Sequence, residues 1–426
     1  MSNSEGSVLA GLLRKSTKIE PDEMPAVIAA FVLFFAVFAG YFAVRPVRET
    51  VGTLLGRQRV SDLFVITWIV SIGVVMLYAT LVARVRRAVL LPAIYGGVAA
   101  LLAIVGIVLK ADPQNTFVLE TFYVTISVLN LFIVSVFWSF LLEIFSKDQT
   151  KRLFGVIAVG GTAGALVGPV TTDLVVGSIG NPGVLFLGAA LFVVAIVCQR
   201  TLIHQGAIFQ ATQPGGAKAD DHPVGSANPF AGLMLVLKSP YLLGIALFMV
   251  LLSSVTTFLY MEQLDIVKKT FSDPAHRTQI FSRIDYIVQS LTIVLQFFVT
   301  GRIAQRFGVV TLLTVVPFVM VASFLGLAAS GTFAVLAVAM VLRRVGEYAF
   351  IRPGREMLYS VVDTETKYKA KSFNDVPVYR GGDALSAKVQ DVLVGQGVSA
   401  SSIAVLGAVI AAFWGLTAWR LGRKVK

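Results

Sequence analysis

The chain has 426 residues, of which 56% are hydrophobic and only 14% are charged, and its mean hydropathy is +0.80. A soluble core of this length cannot bury so much apolar surface, so the composition excludes a soluble globular enzyme and predicts a polytopic membrane protein. The net charge of +12 comes from Lys and Arg in short loops, a pattern that indicates membrane topology and argues against nucleic acid as a partner.

Residues 1–23 precede the first long apolar run and form a short amino-terminal segment. The segment has basic residues but no apolar core of signal length followed by a small-residue cleavage site. We therefore expect it to stay attached, to lie in the cytoplasm and to begin with a short interfacial helix.

Apolar windows of about 20 residues predict twelve membrane-spanning helices. The first six are Ala26–Val44, Leu63–Val82, Val89–Leu109, Phe122–Phe140, Phe154–Val176 and Val184–Ile203. The last six are Tyr241–Tyr260, Phe281–Thr300, Val309–Ala329, Thr332–Phe350, Phe373–Val394 and Ile403–Leu421. The predicted fold class is thus an all-α membrane protein with two pseudo-symmetric six-helix bundles, residues 24–204 and 230–426, joined by a cytoplasmic linker at residues 205–229.

The eleventh predicted span contains several charges, and hydropathy alone does not identify it. Two of these charges, Arg380 and Asp383, are candidate substrate-binding residues. An internal repeat supports it. FGVIAVGGTAGAL at Phe154–Leu166 and FNDVPVYRGGDAL at Phe373–Leu385 share Phe, Val, Ala and Leu at matching places, each with a Gly-Gly pair nearby. The offset is about half the chain, which indicates that the two halves are parallel copies.

Basic residues cluster in the loops after even-numbered spans, at Arg84, Arg86 and Arg87, at Lys147, Lys151 and Arg152, and at Lys367, Lys369 and Lys371. This bias places those loops and both termini in the cytoplasm and predicts a multi-pass protein of a bacterial inner membrane. GRIAQRFG at Gly301–Gly308 resembles the short cytoplasmic signature of the major facilitator superfamily, and ARVRRAVLLP at Ala83–Pro92 resembles a degraded copy. These features favour that fold.

In a two-bundle transporter, the first helix of each three-helix unit lines the central cavity. Here the pattern R-P-x-R-E ends span one, with Arg45, Arg48 and Glu49, and ends span ten, with Arg352, Arg355 and Glu356. Arg stays charged at any working pH, and its planar fork binds phosphate or carboxylate oxygens in pairs. The prolines of the two patterns should each open a helical turn and free backbone groups. The alternative is that these arginines are ordinary anchors at the membrane interface.

Glu143 ends span four, and Glu262 and Asp265 end span seven. We expect Glu143 and Glu262 to neutralise the arginines when substrate is absent, so that an anion displaces internal ion pairs. The alternative is a fixed structural bridge between helices. The candidates for gating or coupling are Glu49, Glu356, Asp265, Asp285, Arg344 and Glu347. The sequence does not assign the partners of the interior charges Arg343, Arg344, Glu347, Arg283 and Asp285, and the alternative is that they pair with one another.

Two other patterns predict packing. The glycines of span five, at positions 155, 160, 161, 164 and 168, should let helices approach closely. The aromatic residues of span four, among them Phe122, Tyr123, Phe137 and Trp138, should pack against other helices or face lipid.

Four patches resemble the ATP/ADP translocase family of nucleotide transporters. They are RPVRETV at Arg45–Val51, VFWSFLLEIFSKDQTKRLF at Val136–Phe154, YMEQLDIVKK at Tyr260–Lys269 and RPGREMLYSVVDTETKYKAKSFND at Arg352–Asp375. The resemblance implies that Arg48, Glu143, Glu262 and Arg355 handle the substrate. Both lysines of the family pattern are arginines here, so a different phosphorylated or carboxylated anion is an alternative substrate.

The sequence therefore predicts a secondary transporter that moves an anionic solute, with nucleotide exchange preferred, by alternating access. The alternative is a carrier of another organic anion, coupled to protons through Glu143, Glu262, Asp265 or Asp285. No Walker, zinc-protease or nucleophile-elbow motif is present, and the three histidines lie in polar loops, so we expect neither an enzyme nor a metal or cofactor. We expect a monomer whose partners are the anionic solute and membrane lipids.

Overall fold

The computed structural model describes residues 19–85, 87–131, 133–212, 230 and 232–425, and these residues form helices and connecting turns without a β-strand. A 3₁₀ turn at Pro21–Glu23 precedes the helices of the first half. These are α1 (Met24–Leu55), α2 (Arg57–Arg84), α3 (Arg87–Ala111), α4 (Thr116–Leu129), α5 (Ile133–Ile144) and α6 (Lys147–Thr212).

The helices of the second half begin at Leu233. They are α7 (Leu233–Lys238), α8 (Pro240–Thr270), α9 (Pro274–Leu295), α10 (Gly301–Ser330), α11 (Phe333–Gly346), α12 (Arg352–Leu358), α13 (Thr364–Phe373), α14 (Tyr379–Gly395) and α15 (Ala400–Gly422). Short π-helical segments join three of these pairs, at Gln296–Thr300, Glu347–Ile351 and Asn374–Val378, and a 3₁₀ turn covers Tyr359–Val361.

Seven helical segments of the described chain are long and apolar enough to cross a membrane, and the bent pair α4 and α5 brings the number to eight. Two of them, Asp148–Gln205 with 58 residues and Pro274–Ser330 with 57 residues, would each rise about 85 Å, far more than a hydrocarbon core of about 30 Å. Each contains one glycine with a left-handed φ, Gly180 at 68° and Gly308 at 74°, where the helix breaks. Each long segment therefore provides two of the predicted spans.

The tenth and eleventh predicted spans are not among these segments, and both contain more than two charged residues, but both are helical. The tenth corresponds to α11, its π-helical extension and α12, and the eleventh corresponds to the π-helical segment at Asn374–Val378 and α14. With these two, the described residues contain all twelve predicted spans, and the predicted all-α membrane fold is confirmed.

The contacts divide the chain into two compact units. Unit 1 comprises Met1–Val47, Leu81–Val118 and Leu129–His222, and unit 2 comprises Arg48–Thr80, Leu119–Val128 and Pro223–Lys426. Unit 2 thus contains residues from both halves of the sequence.

In unit 1, three glycines on one face of α6 lie against α1; they are Gly160, Gly164 and Gly168. A methyl group on any of them would come closer than 3.0 Å to a backbone atom of α1, at Phe31, Phe35 and Ala39 respectively. The two backbones therefore touch, as the glycine pattern predicted. Among the aromatic residues of span four, Phe122, Tyr123 and Phe137 are buried rather than facing lipid.

In unit 2, α8 packs against α14 and α15, and α10 packs against α15. Trp414 of α15 is fully buried, and its ring centroid lies 5.9 Å from that of Phe248 on α8. The same helix α8 carries polar side chains toward its carboxyl end, so it connects the apolar core with the charged residues described below.

Residues Gly301–Gly308, which resemble a loop signature, begin helix α10, and the chain leaves helical geometry only at Gly308. The predicted linker starts later than residue 205 because α6 continues to Thr212. Residues 213–229 of that linker lie outside the described residues, and so does the expected interfacial helix at the amino terminus.

Candidate functional site

Two arginines from distant parts of the chain converge on Ser127 in unit 2. Arg48 donates from Nε to Ser127 Oγ over 3.1 Å, and Arg380 donates from Nη2 to the carbonyl oxygen of Ser127 over 3.2 Å. Their side chains are 16% and 17% exposed, so each guanidinium is partly open to a solute. Nε of Arg380 is buried and has no hydrogen-bond partner within the described chain. Two adjacent guanidinium forks form a site suited to an oxyanion.

Two tyrosines hold the Arg48 side chain. Cζ of Arg48 lies 4.2 Å from the centroid of the Tyr123 ring and 5.5 Å from that of Tyr260. The two hydroxyl groups are 2.9 Å apart and form a hydrogen bond. A methyl group at Gly52 would lie 2.9 Å from the Tyr260 hydroxyl, so only glycine fits beside this pair.

Each of the two converging arginines also contacts a carboxylate. Arg48 donates from Nη1 to Glu49 Oε1 over 2.8 Å, and Arg380 lies 3.5 Å from Asp383 Oδ2, one helical turn away. Asp383 is 3% exposed and accepts a hydrogen bond from Thr257 Oγ1 over 2.9 Å. These acids neutralise the arginines internally, and a bound anion would compete with them.

A second cluster centres on Arg57, the first residue of α2. Its guanidinium donates to Asp265 Oδ2 over 2.8 Å and to Glu262 Oε1 over 3.0 Å, both on α8. Glu262 also accepts a hydrogen bond from Gln390 Nε2 over 3.1 Å. Arg57 is directed to α8 by the tight turn at Gly56, which has a φ of 82° between α1 and α2. The cluster joins three helices of unit 2.

The third cluster lies on the π-helical segment at the end of span ten. Glu347 accepts hydrogen bonds from Arg343 Nη1 over 2.9 Å and from Arg352 Nη2 over 3.3 Å. Arg343 Nη1 also donates to Thr256 Oγ1 over 3.2 Å, and the next residue on α8, Thr257, donates to Asp383 of the first cluster, so α8 contacts both clusters.

Arg355 and Glu356 contact the start of span eleven and the helix before it. Arg355 Nη1 lies 3.3 Å from Asp375 Oδ1, and Lys371 Nζ donates to Glu356 Oε2 over 2.8 Å. Arg355 is 18% exposed, similar to Arg48 and Arg380. Most charges of the Arg352–Leu385 stretch are therefore engaged within unit 2.

The proline of the second R-P-x-R-E pattern opens the helix as expected. Pro353 lacks the N–H that would bond to a carbonyl one turn earlier. The two carbonyls in that turn, of Tyr348 and Ala349, accept hydrogen bonds from Gln296 Nε2 over 3.1 Å and from Thr300 Oγ1 over 3.0 Å. At Pro46 the expected opening is absent, because α1 continues through it without a break; Pro46 still lacks the N–H that would bond to the carbonyl one turn earlier.

The remaining candidates lie apart from these clusters or in the other unit. Asp285 forms a buried ion pair with Arg344, so two of the interior charges without an assigned partner pair with each other. In unit 1, Glu143 is exposed on α5, and Arg45 lies with Cζ 5.9 Å from the centroid of the Phe42 ring.

Three of the four family-pattern residues form ion pairs within unit 2. Within unit 2, Arg48 pairs with Glu49, Arg355 with Asp375, and Glu262 with Arg57. Sequence reasoning missed Arg57 because a basic residue at the start of an apolar helix is typical of an interface anchor. It also missed Ser127 and the Tyr123–Tyr260 pair, whose roles depend on tertiary contacts.

Among the described residues, no group of three or more His, Cys, Asp and Glu side chains is arranged to hold a metal ion. The clusters instead combine arginines, carboxylates and hydroxyl groups. Side chains of these types form charge-assisted hydrogen bonds with one another and with anions.

No family model and no curated protein matches the chain. Solved structures do. The nucleoside transporter NupG aligns with a TM-score of 0.63 at 15% identity over 94% of this chain and 99% of that one. A POT family transporter in complex with 5-aminolevulinic acid aligns with a TM-score of 0.64 at 11% identity, over 94% and 96% of the two chains.

A bacterial homologue of the human lysosomal transporter Spinster, in an inward-facing and unoccupied conformation, aligns with a TM-score of 0.55 at 12% identity, over 96% and 98% of the two chains. At such low identities the likeness concerns the fold. These neighbours are transporters of the major facilitator type, and none of them is an ATP/ADP translocase. The chain therefore has the twelve-helix fold of the major facilitator transporters.

Proposed function

We propose that the protein is a secondary transporter of an anionic organic solute, and that exchange of nucleotides is its preferred activity. The observation that carries the proposal is the convergence of Arg48 and Arg380 on Ser127, both partly exposed and both beside a carboxylate. The fold supports transport in general, and the four patches that resemble the ATP/ADP translocase family support a nucleotide. The neighbours transport or bind other organic solutes, according to their names, so the phosphate specificity rests on the arginines.

The ion pairs supply a reason for exchange. Leaving a mostly buried guanidinium without a partner is unfavourable. Arg48 and Arg380 are neutralised either by Glu49 and Asp383 or by a bound anion. An anion that replaces these internal partners changes the relative stability of two conformations only if it binds one of them more tightly. We infer that the substrate supplies this difference and that the empty carrier returns slowly.

The Arg57 cluster fits the role of a latch. It ties the start of α2 to α8 through Glu262 and Asp265. Opening this part of unit 2 requires all of these contacts to break together, so they stabilise the state in which they are formed. Substrate binding at Arg48, which lies on α1 just before the turn to α2, is close enough in sequence to influence the latch.

A proton-coupled carrier of another organic anion is the second candidate. Asp383 is nearly fully buried, lies beside Arg380 and accepts a hydrogen bond from Thr257. A carboxylate in such a place can exchange its ion pair for a proton when the arginine turns to a substrate. Replacement of both family-pattern lysines by Arg48 and Arg355 also favours a cargo other than ATP and ADP.

Proteoliposomes test the two candidates. Uptake of labelled nucleotide should require unlabelled nucleotide inside the vesicles and should be insensitive to an uncoupler if the protein is an exchanger. Uptake that proceeds without internal nucleotide and collapses with the uncoupler would support proton coupling. If no nucleotide, sugar phosphate or dicarboxylate is taken up under either condition, the proposal of anion transport is wrong.

A further inference from the structure

A cavity of about 570 Å³ lies in unit 2, away from the three charge clusters. One wall consists of α7 and the start of α8, and the other consists of the segment Val361–Thr366 and Lys424 after α15. These segments lie at the start of the seventh predicted span, between the tenth and the eleventh, and after the twelfth. The cavity therefore sits at one end of the membrane-spanning helices, at the depth where lipid headgroups lie.

Two lysines face this cavity without a carboxylate partner. Lys238 and Lys424 line it, both are exposed, and neither forms an ion pair within the described residues. Nζ of Lys424 lies 5.8 Å from the centroid of the Tyr241 ring, and the Tyr241 hydroxyl donates to the carbonyl oxygen of Leu358 over 2.7 Å. A tyrosine anchored in this way beside a lysine is typical of a membrane interface.

The cavity lining also contains one carboxylate, that of Asp363, which accepts a hydrogen bond from the backbone. Asp363 caps α13 and accepts a hydrogen bond from the backbone N–H of Thr366 over 2.9 Å. That bond lowers the pKa of Asp363, so the group is ionised at neutral pH. Its charge opposes one of the two lysines, and the cavity keeps an excess of positive charge.

The apolar part of the lining identifies the kind of anion. Leu235, Leu242, Val361 and Val362 line the cavity. Two further apolar side chains of α7 are exposed, Met234 by 59% and Leu237 by 54%. A soluble phosphate gains nothing from such a wall. A phospholipid uses both parts, because its acyl chains cover the apolar side chains while its headgroup meets the lysines.

We propose that this cavity is a binding site for an anionic phospholipid, with its phosphate between Lys238 and Lys424 and its acyl chains along α7 and Val361. The site is independent of the solute that the protein transports. Its position on the side of the basic loops, which we expect to be cytoplasmic, agrees with the leaflet in which anionic lipids act on basic residues.

The test uses the full-length protein purified in a neutral detergent. Its thermal unfolding is followed while phosphatidylglycerol or phosphatidylcholine with the same acyl chains is added, and inorganic phosphate is added in a separate series. We expect a concentration-dependent rise of Tm with phosphatidylglycerol, and little change with the other two. The variant Lys238→Gln/Lys424→Gln should need about tenfold more phosphatidylglycerol for the same rise.

The matched control is Lys268→Gln/Lys269→Gln, which removes two exposed lysines from the opposite end of α8. It should respond to phosphatidylglycerol like the unmodified protein. If the double variant is unstable, the single variant Lys424→Gln replaces it, and a smaller loss of the response to phosphatidylglycerol is expected. Equal responses to the two lipids, an unchanged response in both cavity variants, or an equal effect of inorganic phosphate would each overturn the proposal.

Discussion

Arg57 donates a hydrogen bond to Glu262 over 3.0 Å, although 205 positions separate the two residues in the sequence. The contact joins the first residue of α2 to α8 within unit 2, and Arg57 also bonds to Asp265. Glu262 is 3% exposed, so its charge depends on Arg57 and on the amide of Gln390. The pair is therefore a buried connection between the two halves of the sequence.

Arg57→Ala should strongly destabilise the protein. It leaves Glu262 buried with one amide partner, and loss of one member of a buried ion pair costs about 3 kcal/mol. The matched control is Arg59→Ala, because the Arg59 side chain is 52% exposed and pairs with Glu120 at the surface. Because solvent screens this exposed pair, that substitution should have little effect on stability. Thermal unfolding of the two purified variants measures the difference.

A second substitution separates the charge effect from lost packing. In the Arg57→Ala protein, Glu262→Gln removes the uncompensated charge and should recover part of the lost stability. If the loss of stability in the double variant instead equals the sum of the losses in the two single variants, the two side chains do not interact and the latch is not an ion pair.

Gly52→Ala should weaken anion binding. The added methyl group would lie 2.9 Å from the Tyr260 hydroxyl, so Tyr260 must move and Arg48 loses one of its two supporting rings. Overpacking of this kind costs about 1–3 kcal/mol. The control Gly73→Ala introduces the same group in α2, where nothing lies within 4 Å. Equal affinities of the two variants for the transported anion would contradict the role of the tyrosine pair.

Gly164→Ala in unit 1 should lower Tm by several degrees, because the methyl group collides with the backbone of α1 at Phe35. Gly155→Ala on the same helix meets no atom within 4 Å and should keep or slightly raise Tm through better helix propensity. Differential scanning fluorimetry of the two variants tests this contrast. Similar melting curves would mean that α1 and α6 do not touch at this glycine.

Thr300→Val should destabilise unit 2 by about 1–2 kcal/mol, because the carbonyl of Ala349 loses its side-chain donor. Adding Pro353→Ala to this variant restores a backbone N–H at the position where the helix lacks one. The double variant should therefore be more stable than Thr300→Val alone. The unfolding temperatures of the unmodified protein, Thr300→Val and the double variant test this order of stability. A double variant no more stable than Thr300→Val would refute the explanation of the helix opening.

The sequence predicted the spans well because apolar length and loop charge determine them directly. The charged eleventh span was found through the repeat at Phe373–Leu385, and the break at Gly180 lies between two predicted spans. Arg380 and Asp383 were predicted as site residues, and they do contact each other.

Ion-pair partners were harder to predict, because they depend on which helix faces which. Arg57 has no local pattern that distinguishes it from an interface anchor, and its partners lie on α8. Similarly, Pro46 and Pro353 occur in the same motif, but only the second is accompanied by a π-helical segment and by side-chain donors for the freed carbonyls. Tertiary contacts, not the motif, determine whether the helix opens.

The most direct test of anion binding by the converging arginines is a ligand titration of the purified protein. Nucleotides, sugar phosphates and dicarboxylates are titrated into the unmodified protein, Arg48→Ala, Arg380→Ala and the control Arg59→Ala. We predict that at least one anion binds and that each of the first two substitutions weakens it about tenfold or more, while the control binds normally. An anion that binds equally well to all four proteins, or no binding by any anion in the panel, would contradict the proposed site.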